Sequence, residues 1–166
     1  EYVLENFNLK IPFGTNIAIV GETGAGKSTL VNLVCRFFEP TSGQVLIDGK
    51  DARLRSQLWL HSAIGYVLQT PHLFSGTVKE NLLYGNPDAT DEEIENALKL
   101  VSAESVTAHL ENGLLSDVGE GGDLLSTGEK QLISFARAVL SNPKILILDE
   151  ATASVDTITE QKIQSA

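Results

Sequence analysis

Cysteine, tryptophan and basic residues are scarce in this chain of 166 residues, and methionine is absent. A single cysteine, Cys35, cannot form a disulfide within the chain and is typical of a reducing compartment. The formal net charge is −10. This deficit of positive charge argues against non-specific nucleic-acid binding, because phosphate contacts need clustered Lys and Arg. No apolar run approaches the roughly 20 residues of a membrane span, so we expect no direct membrane insertion by this segment.

Strand-like patterns recur along the chain. Phe7, Leu9 and Ile11 alternate with polar residues, as in a strand with one buried face. Three continuous apolar runs are typical of buried strands. They are residues 17–20 and the stretches "AIGYVLQ" and "KILILDE". Helical periodicity separates these runs, after residue 27 as far as Phe38 and again over the stretch that follows residue 127. This alternation predicts an α/β fold with a mainly parallel sheet.

Helix starts are marked by a hydroxyl residue followed three positions later by glutamate. This is the spacing of a capping box, in which each side chain accepts a hydrogen bond from the other residue's backbone N–H. The pairs are Thr77 with Glu80, Thr90 with Glu93, Ser126 with Glu129, and Thr157 with Glu160. We therefore predict that a helix begins after each of these four positions.

The stretch "GETGAGKS" matches the phosphate-loop pattern G-x-x-x-x-G-K-[ST]. Its glycines let successive backbone N–H groups turn toward a phosphate, and the helix that follows directs its positive dipole end to the same point. Lys27 supplies a charge for the β- and γ-phosphates, and the Ser28 hydroxyl can ligate Mg²⁺. The predicted nucleotide-binding residues are Gly21, Glu22, Thr23, Gly24, Ala25, Gly26, Lys27, Ser28 and Thr29.

Two carboxylates follow the predicted strand in "KILILDE". Asp149 ends the strand, at the carboxyl edge where parallel sheets place their ligands, and can hold Mg²⁺ directly or through water. Glu150 comes next and can orient or deprotonate an attacking water.

The stretch "LSTGEKQ", residues 125–131, resembles the signature motif L-S-x-G-Q/E-x-Q of ATP-binding-cassette (ABC) ATPases. With this motif as a reference, almost the whole chain resembles that family's nucleotide-binding domain. Four further motifs follow the family's order. They are the phosphate loop, Gln69 as the Q-loop glutamine, residues 145–150 as the second nucleotide motif, and "ATASVD", ending at Asp156, as the D-loop. The resemblance implies a P-loop NTPase (RecA-like) fold with an N-terminal antiparallel β part. It also implies a core of residues 1–69 and 144–166, with an inserted helical subdomain at about 70–143.

The resemblance implies ATP hydrolysis with ATP and Mg²⁺ as ligands. Catalysis would involve Glu150, Lys27 and Gln69, and Mg²⁺ would be held by Ser28, Gln69 and Asp149. The signature would contact ATP held by a second nucleotide-binding domain, in a head-to-tail homodimer or heterodimer. Its residues are Leu125, Ser126, Thr127, Gly128 and Glu129.

Two further stretches are similar to exporter members of the family, of the multidrug and lipid class. They are "LFSGTVKENLLYG" and "DVGEGGD", in which Glu120 corresponds to a glutamate that meets the membrane domains. The resemblance therefore implies a motor domain at the cytoplasmic face of the cell membrane, partnered by the transmembrane domains of a transporter.

Two other functions share these motifs. One is an ATP-gated dimerisation module with little turnover, against which Glu150 argues. The other is a non-transport ABC ATPase of chromosome maintenance or DNA repair, but those proteins insert a very long coiled coil before the signature, and no heptads occur here. The signature also carries Thr127 and Glu129 where its strongest form has Gly and Gln, which is compatible with a heterodimer in which one ATP site is degenerate.

The family's switch histidine and adenine-stacking aromatic have no counterpart in this sequence. The strand that carries the switch histidine would lie between residues 17–20 and 145–148. Without it, both flanking strands lose a ladder of hydrogen bonds, at about 1–3 kcal/mol for each buried unpaired group. We therefore expect these residues to be a segment of a longer chain, truncated at both ends. When the segment is taken alone, we expect either that another segment fills the gap or that the sheet rearranges.

Overall fold

The structure is a computed structural model that describes residues 3–149. Glu150, Asp156 and the helix predicted after Thr157 lie outside the described residues. The described residues divide into two compact units, with the boundary between residues 61 and 62. We describe each unit separately.

The first unit holds the predicted helix after the phosphate loop and a small hairpin. Helix α1 spans Lys27–Val34. Strands β1 (Leu46–Ile47) and β2 (Lys50–Asp51) form an antiparallel pair in which Leu46 lies opposite Asp51. A 3-10 turn over Ala52–Leu54 follows, and helix α2 (Gln57–Ser62) ends at the boundary of the unit. This antiparallel pair is short, and the N-terminal antiparallel β part stays a prediction.

The strands predicted near residues 7–11 and 17–20 are absent from the described part of the chain, so those two predictions are wrong. Ile17 is 47% exposed and Val20 88% exposed, where a buried strand was expected. The reason is that an apolar run becomes a strand only when a neighbouring strand pairs with its N–H and C=O groups. Within residues 3–149 the sheets are the β1–β2 pair and one other pair, and neither includes residues 17–20.

Helix α1 ends earlier than its apolar periodicity predicts. Arg36 adopts a left-handed conformation with φ of 55°. Its N–H donates to the Leu33 carbonyl at 3.2 Å, and the N–H of Phe37 donates to the Asn32 carbonyl at 2.9 Å. These two bonds form a Schellman motif, which satisfies the last carbonyls of the helix. Phe37 and Phe38 therefore follow the helix and are exposed.

The second unit contains two of the predicted strands, which pair in parallel. Strand β3 (Ile64–Val67) pairs with β4 (Ile145–Leu148) so that Tyr66 lies opposite Ile147 and Val67 opposite Leu148. Both strands match the apolar runs of the sequence. The fold is α/β, as predicted.

Four helices lie between these strands, and three of them start as the sequence predicts. They are α3 (Val78–Leu83), α4 (Asp91–Leu100), α5 (Glu104–Ala108) and α6 (Thr127–Leu140). The capping boxes of α3, α4 and α6 have both reciprocal bonds in place, so those three predictions are confirmed. Short 3-10 turns at Gly113–Leu115 and Glu120–Gly122 separate α5 from α6.

The core of the second unit is built around α6, which packs against α3, α4 and β3. Full burial of a large aliphatic side chain contributes about 1.5–3 kcal/mol, so this cluster is the main source of the unit's stability. Its fully buried members include Val67, Leu73, Val78, Leu82, Ile94, Val101, Val106, Val118 and Ile133. The division into a core and a helical subdomain stays a prediction. Across residues 3–149, no helix has both the length and the apolar character that crossing a membrane requires.

Candidate functional site

The glycine-rich loop lies immediately before α1, and two of its glycines are required by their backbone conformation. Gly24 and Gly26 have φ of 86° and 88°, in the left-handed region that other residues rarely adopt. A Cβ on Gly26 would lie 2.9 Å from Leu4 Cδ2, so space is also lacking there. Gly26 is the N-cap of α1 and offers no side-chain acceptor. The first N–H groups of the helix are therefore left for another acceptor.

Lys27 folds its side chain back over this loop. Its Nζ donates to the carbonyl of Gly21 at 2.7 Å and to that of Glu22 at 2.9 Å. Residues 21–25 of the loop are exposed, as is Ser28, whereas Gly26 is buried. A cation beside the N-terminus of a helix forms an anion site, because the dipole and the side chain both favour negative charge. The structure thus brings the predicted loop residues and Lys27 together.

Gln69 and Asp149 lie at the same edge of the β3–β4 sheet. Asp149 directly follows β4 and its N–H donates to the Val67 carbonyl at 3.0 Å, while Gln69 is two residues beyond β3. The Tyr66 hydroxyl donates to Asp149 Oδ2 at 3.1 Å. The sequence reasoning missed Tyr66. Only the register of the strands places its side chain beside that carboxylate.

The predicted metal ligands supply oxygen donors alone. Ser28 offers a hydroxyl, Gln69 an amide oxygen and Asp149 a carboxylate, and hard oxygen donors of this kind suit Mg²⁺. In the described part of the chain no group of three or more His, Cys, Asp or Glu residues could hold a metal ion by itself. The chemistry of these donors therefore suits Mg²⁺.

The signature stretch starts α6 and is held by its capping box. Glu129 Oε2 accepts from the Ser126 N–H at 2.7 Å and from the Ser126 hydroxyl at 2.7 Å. Burial opposes ionisation of Glu129, but the bonds from Ser126 and the charge of His109 outweigh it and lower the pKa of this carboxyl. His109 Nε2 lies 2.8 Å from Glu129 Oε1. The sequence reasoning missed His109, because its partner is on another helix.

A depression of about 310 Å³ opens at this helix start, lined in part by His109, Ser126, Gly128 and Glu129. A Cβ on Gly128 would meet no atom within 4 Å, and its φ is not in the left-handed region. The fold alone therefore does not require glycine at position 128.

Gln131, the last residue of the signature stretch, reaches the segment that contains Gln69. It is fully buried, and its Nε2 donates to the Leu68 carbonyl at 3.4 Å, while its Oε1 has no hydrogen-bond partner among the described residues. The signature helix and the residue before Gln69 are thus in direct contact.

Glu120 starts the 3-10 turn before α6 and is exposed. Lys130 anchors this turn from α6, because its Nζ donates to the Gly121 carbonyl at 3.3 Å. Leu125 is buried, and Thr127 is exposed.

Comparison with known proteins identifies the chain's relatives. The family model described as "ABC transporter" matches residues 4–153. The chain is 49% identical over 164 residues to ABC transporter B family member 1 of Arabidopsis thaliana, covering 99% of the chain and 13% of that protein. It is 49% identical over 166 residues to the probable multidrug resistance ABC transporter ATP-binding/permease protein YheH of Bacillus subtilis, covering 100% of the chain and 25% of that protein.

A solved structure described as a bacterial Atm1-family ABC exporter with ATP bound is also similar. Its TM-score is 0.82 at 42% identity, over 87% of this chain and 25% of that chain. The chain thus spans a quarter or less of the length of these three proteins. The likeness shows that the α/β fold is that of a P-loop NTPase.

Proposed function

The chain belongs to the ABC transporter family, and we propose that these residues form the ATP-binding, ATP-hydrolysing motor domain of an exporter. The family match and the exporter relatives support this proposal. Since the chain spans only part of those proteins, the transport activity is proposed for the full-length protein that contains it.

The observation that carries the proposal is the geometry of Lys27 over the glycine loop. The Nζ donates to two loop carbonyls, at 2.7 and 2.9 Å. We propose that ATP displaces these contacts, so that Nζ turns to the β- and γ-phosphates while the free N–H groups at the start of α1 bind phosphate oxygens. Gly24 and Gly26 already have the left-handed backbone conformation that turns N–H groups toward a phosphate.

Hydrolysis would proceed by attack of water on the γ-phosphorus, with ADP as the leaving group. Glu150 would accept the proton of this water, and Gln69 would orient it. Mg²⁺ would be held by Ser28, Gln69 and Asp149. Its positive charge would offset the negative charge of the phosphates. Asp149 is preset for this role by its backbone bond to Val67.

The signature would act on ATP held by a second nucleotide-binding domain. Ser126 is exposed at the start of α6, and Gly128 leaves open space beside it. A phosphate could therefore approach the N–H groups of this helix start closely. We propose a head-to-tail dimer with two ATP molecules, each bound by the phosphate loop of one chain and the signature of the other, with Asp156 at the interface as the D-loop residue.

The domain would lie at the cytoplasmic face of a membrane and work on attached or partner transmembrane domains. The exposed turn that begins at Glu120 is the proposed contact with them. The relatives described as exporters support this assignment.

Lys27→Ala in the full-length protein tests the proposal. We expect loss of ATP binding or of phosphate release, because the charge that faces the phosphates is removed. Lys10→Ala is the matched control, since Lys10 is an exposed lysine in the same unit. Hydrolysis by Lys27→Ala at the level of Lys10→Ala would refute the phosphate-loop assignment.

A further inference from the structure

The hydroxyl of Tyr66 contacts the carboxylate of Asp149, to which the proposed function gives a role in holding Mg²⁺. We propose that Tyr66 is a positioning residue for that metal. Its hydroxyl fixes the orientation of the Asp149 carboxylate and thereby sets how strongly Mg²⁺ tightens nucleotide binding. The inference rests on the proposed function, because it presupposes a nucleotide at this site.

The strand register explains the contact. Tyr66 lies opposite Ile147 on the parallel neighbour, and Asp149 is two residues beyond Ile147. Side chains two residues apart on a strand point to the same face, so Tyr66 and Asp149 share one face of the sheet. Two residues of strand span about 6.6 Å, a distance that a phenol leaning along the strand can bridge. The result is the 3.1 Å contact from the hydroxyl to Asp149 Oδ2.

Two constraints then act on one carboxylate. The Asp149 N–H is bound to the Val67 carbonyl at 3.0 Å, which fixes the backbone, and the Tyr66 hydroxyl restrains the side chain. The hydroxyl uses one acceptor position on Oδ2, and a carboxylate has about four. The other acceptor positions of the Asp149 carboxylate therefore remain for a cation, and the Tyr66 hydroxyl fixes the direction in which they point.

Partners that orient a metal ligand typically change metal affinity by about 10- to 100-fold. The 3.1 Å contact is slightly longer than the usual O–H···O distance of about 2.5–3.0 Å. We therefore expect an effect at the lower end of that range, about tenfold.

The experiment measures the dissociation constant of a non-hydrolysable, fluorescent ATP analogue for the full-length protein, once with Mg²⁺ and once with EDTA. The ratio of the two constants reports how far Mg²⁺ tightens binding. Tyr66→Phe removes the hydroxyl and keeps the ring. Tyr84→Phe is the matched control, because Tyr84 is an exposed tyrosine whose ring stacks on Phe74. We expect the ratio to fall about tenfold in Tyr66→Phe, with the EDTA constant unchanged, and to stay at the wild-type value in Tyr84→Phe.

A second pair of variants separates positioning from packing. Adding Tyr66→Phe to Asp149→Asn should lower the ratio no further, since the proposed effect of the hydroxyl on Mg²⁺ passes through the Asp149 carboxylate. Tyr66→Leu should lower it by the same factor as Tyr66→Phe. The inference is overturned if the ratio in Tyr66→Phe stays at the wild-type value, if both constants rise equally, or if only Tyr66→Leu has an effect. Failure of the proposed function looks different, because the wild type would then bind no nucleotide in either condition.

Discussion

Replacing Gly128 by alanine should raise stability and lower activity at the same time. Gly128 is the second residue of α6, its φ lies outside the left-handed region, and an added Cβ meets no atom within 4 Å. Alanine is therefore compatible with the fold and restricts the unfolded chain more than glycine does. At such sites Gly→Ala typically stabilises by about 0.4–1 kcal/mol, which corresponds to a rise in Tm of about 1–4 °C for a domain of this size.

The proposed activity predicts the opposite change in turnover. A methyl group at the start of α6 would keep a phosphate of the opposing ATP from the helix N–H groups. Losing one hydrogen bond to a charged group costs about 1.5–3 kcal/mol, so phosphate release should fall about 10- to 100-fold. Ser126→Ala is the informative comparison, because it removes the cap and should destabilise by about 1 kcal/mol while also lowering turnover.

Thermal unfolding and phosphate release by the full-length protein measure both effects. Suppose that Gly128→Ala is more stable and yet keeps turnover within about threefold of the wild type, which is about 0.65 kcal/mol of activation barrier. That result would show that no phosphate approaches this glycine closely. A less stable variant would refute the structural premise instead, because the open space at position 128 would not exist.

Three further predictions follow from the fold and the proposed chemistry. Hydrogen bonds from Thr77 and Thr90 lower the pKa of Glu80 and Glu93 below the ordinary value of 4.5. The stability that these ionised carboxylates add is therefore present above pH 4.5 and is lost as the pH falls through their pKa in the folded protein. Replacing both by Gln should flatten the acid side of a plot of urea midpoint against pH, and an unchanged slope would contradict the capping account. Ile133→Ala should destabilise by about 2–5 kcal/mol in urea unfolding, since the side chain is 0% exposed, and a loss below about 1 kcal/mol would argue against a packed core at α6. Glu150→Gln should keep ATP binding and nearly stop phosphate release, because the amide cannot act as a base; turnover within about threefold of the wild type would exclude that role.

The helix starts were predictable because their signals are local. Ser126 and Glu129 satisfy one another's backbone groups across three residues, so the sequence alone specifies the bond, and the same holds for the two threonine boxes. The end of α1 was not predictable in this way. Its left-handed position is held by Arg36 rather than by the usual glycine.

The strands show the limit of pattern reasoning. The runs that became β3 and β4 pair with one another. Residues 17–20 have an equally apolar run, but no strand within residues 3–149 pairs with them. Pairing depends on which segments are adjacent in space, and periodicity carries no information about that. The contacts of Tyr66 with Asp149 and of His109 with Glu129 were missed for the same reason. Both pairs depend on elements that are distant in sequence.

The central claim is that each ATP site is completed by two chains, and mixed dimers of two differently tagged copies test it most directly. In the first dimer, one chain carries Lys27→Ala and the other carries Ser126→Arg. In the second dimer, a single chain carries both changes and its partner is wild type. Head-to-tail sites predict phosphate release from the first dimer, because the phosphate loop of the Ser126→Arg chain still faces an intact signature. They predict none from the second dimer, where each site contains one lesion. Activity from the second dimer and none from the first would contradict the account, because each site would then lie within one chain.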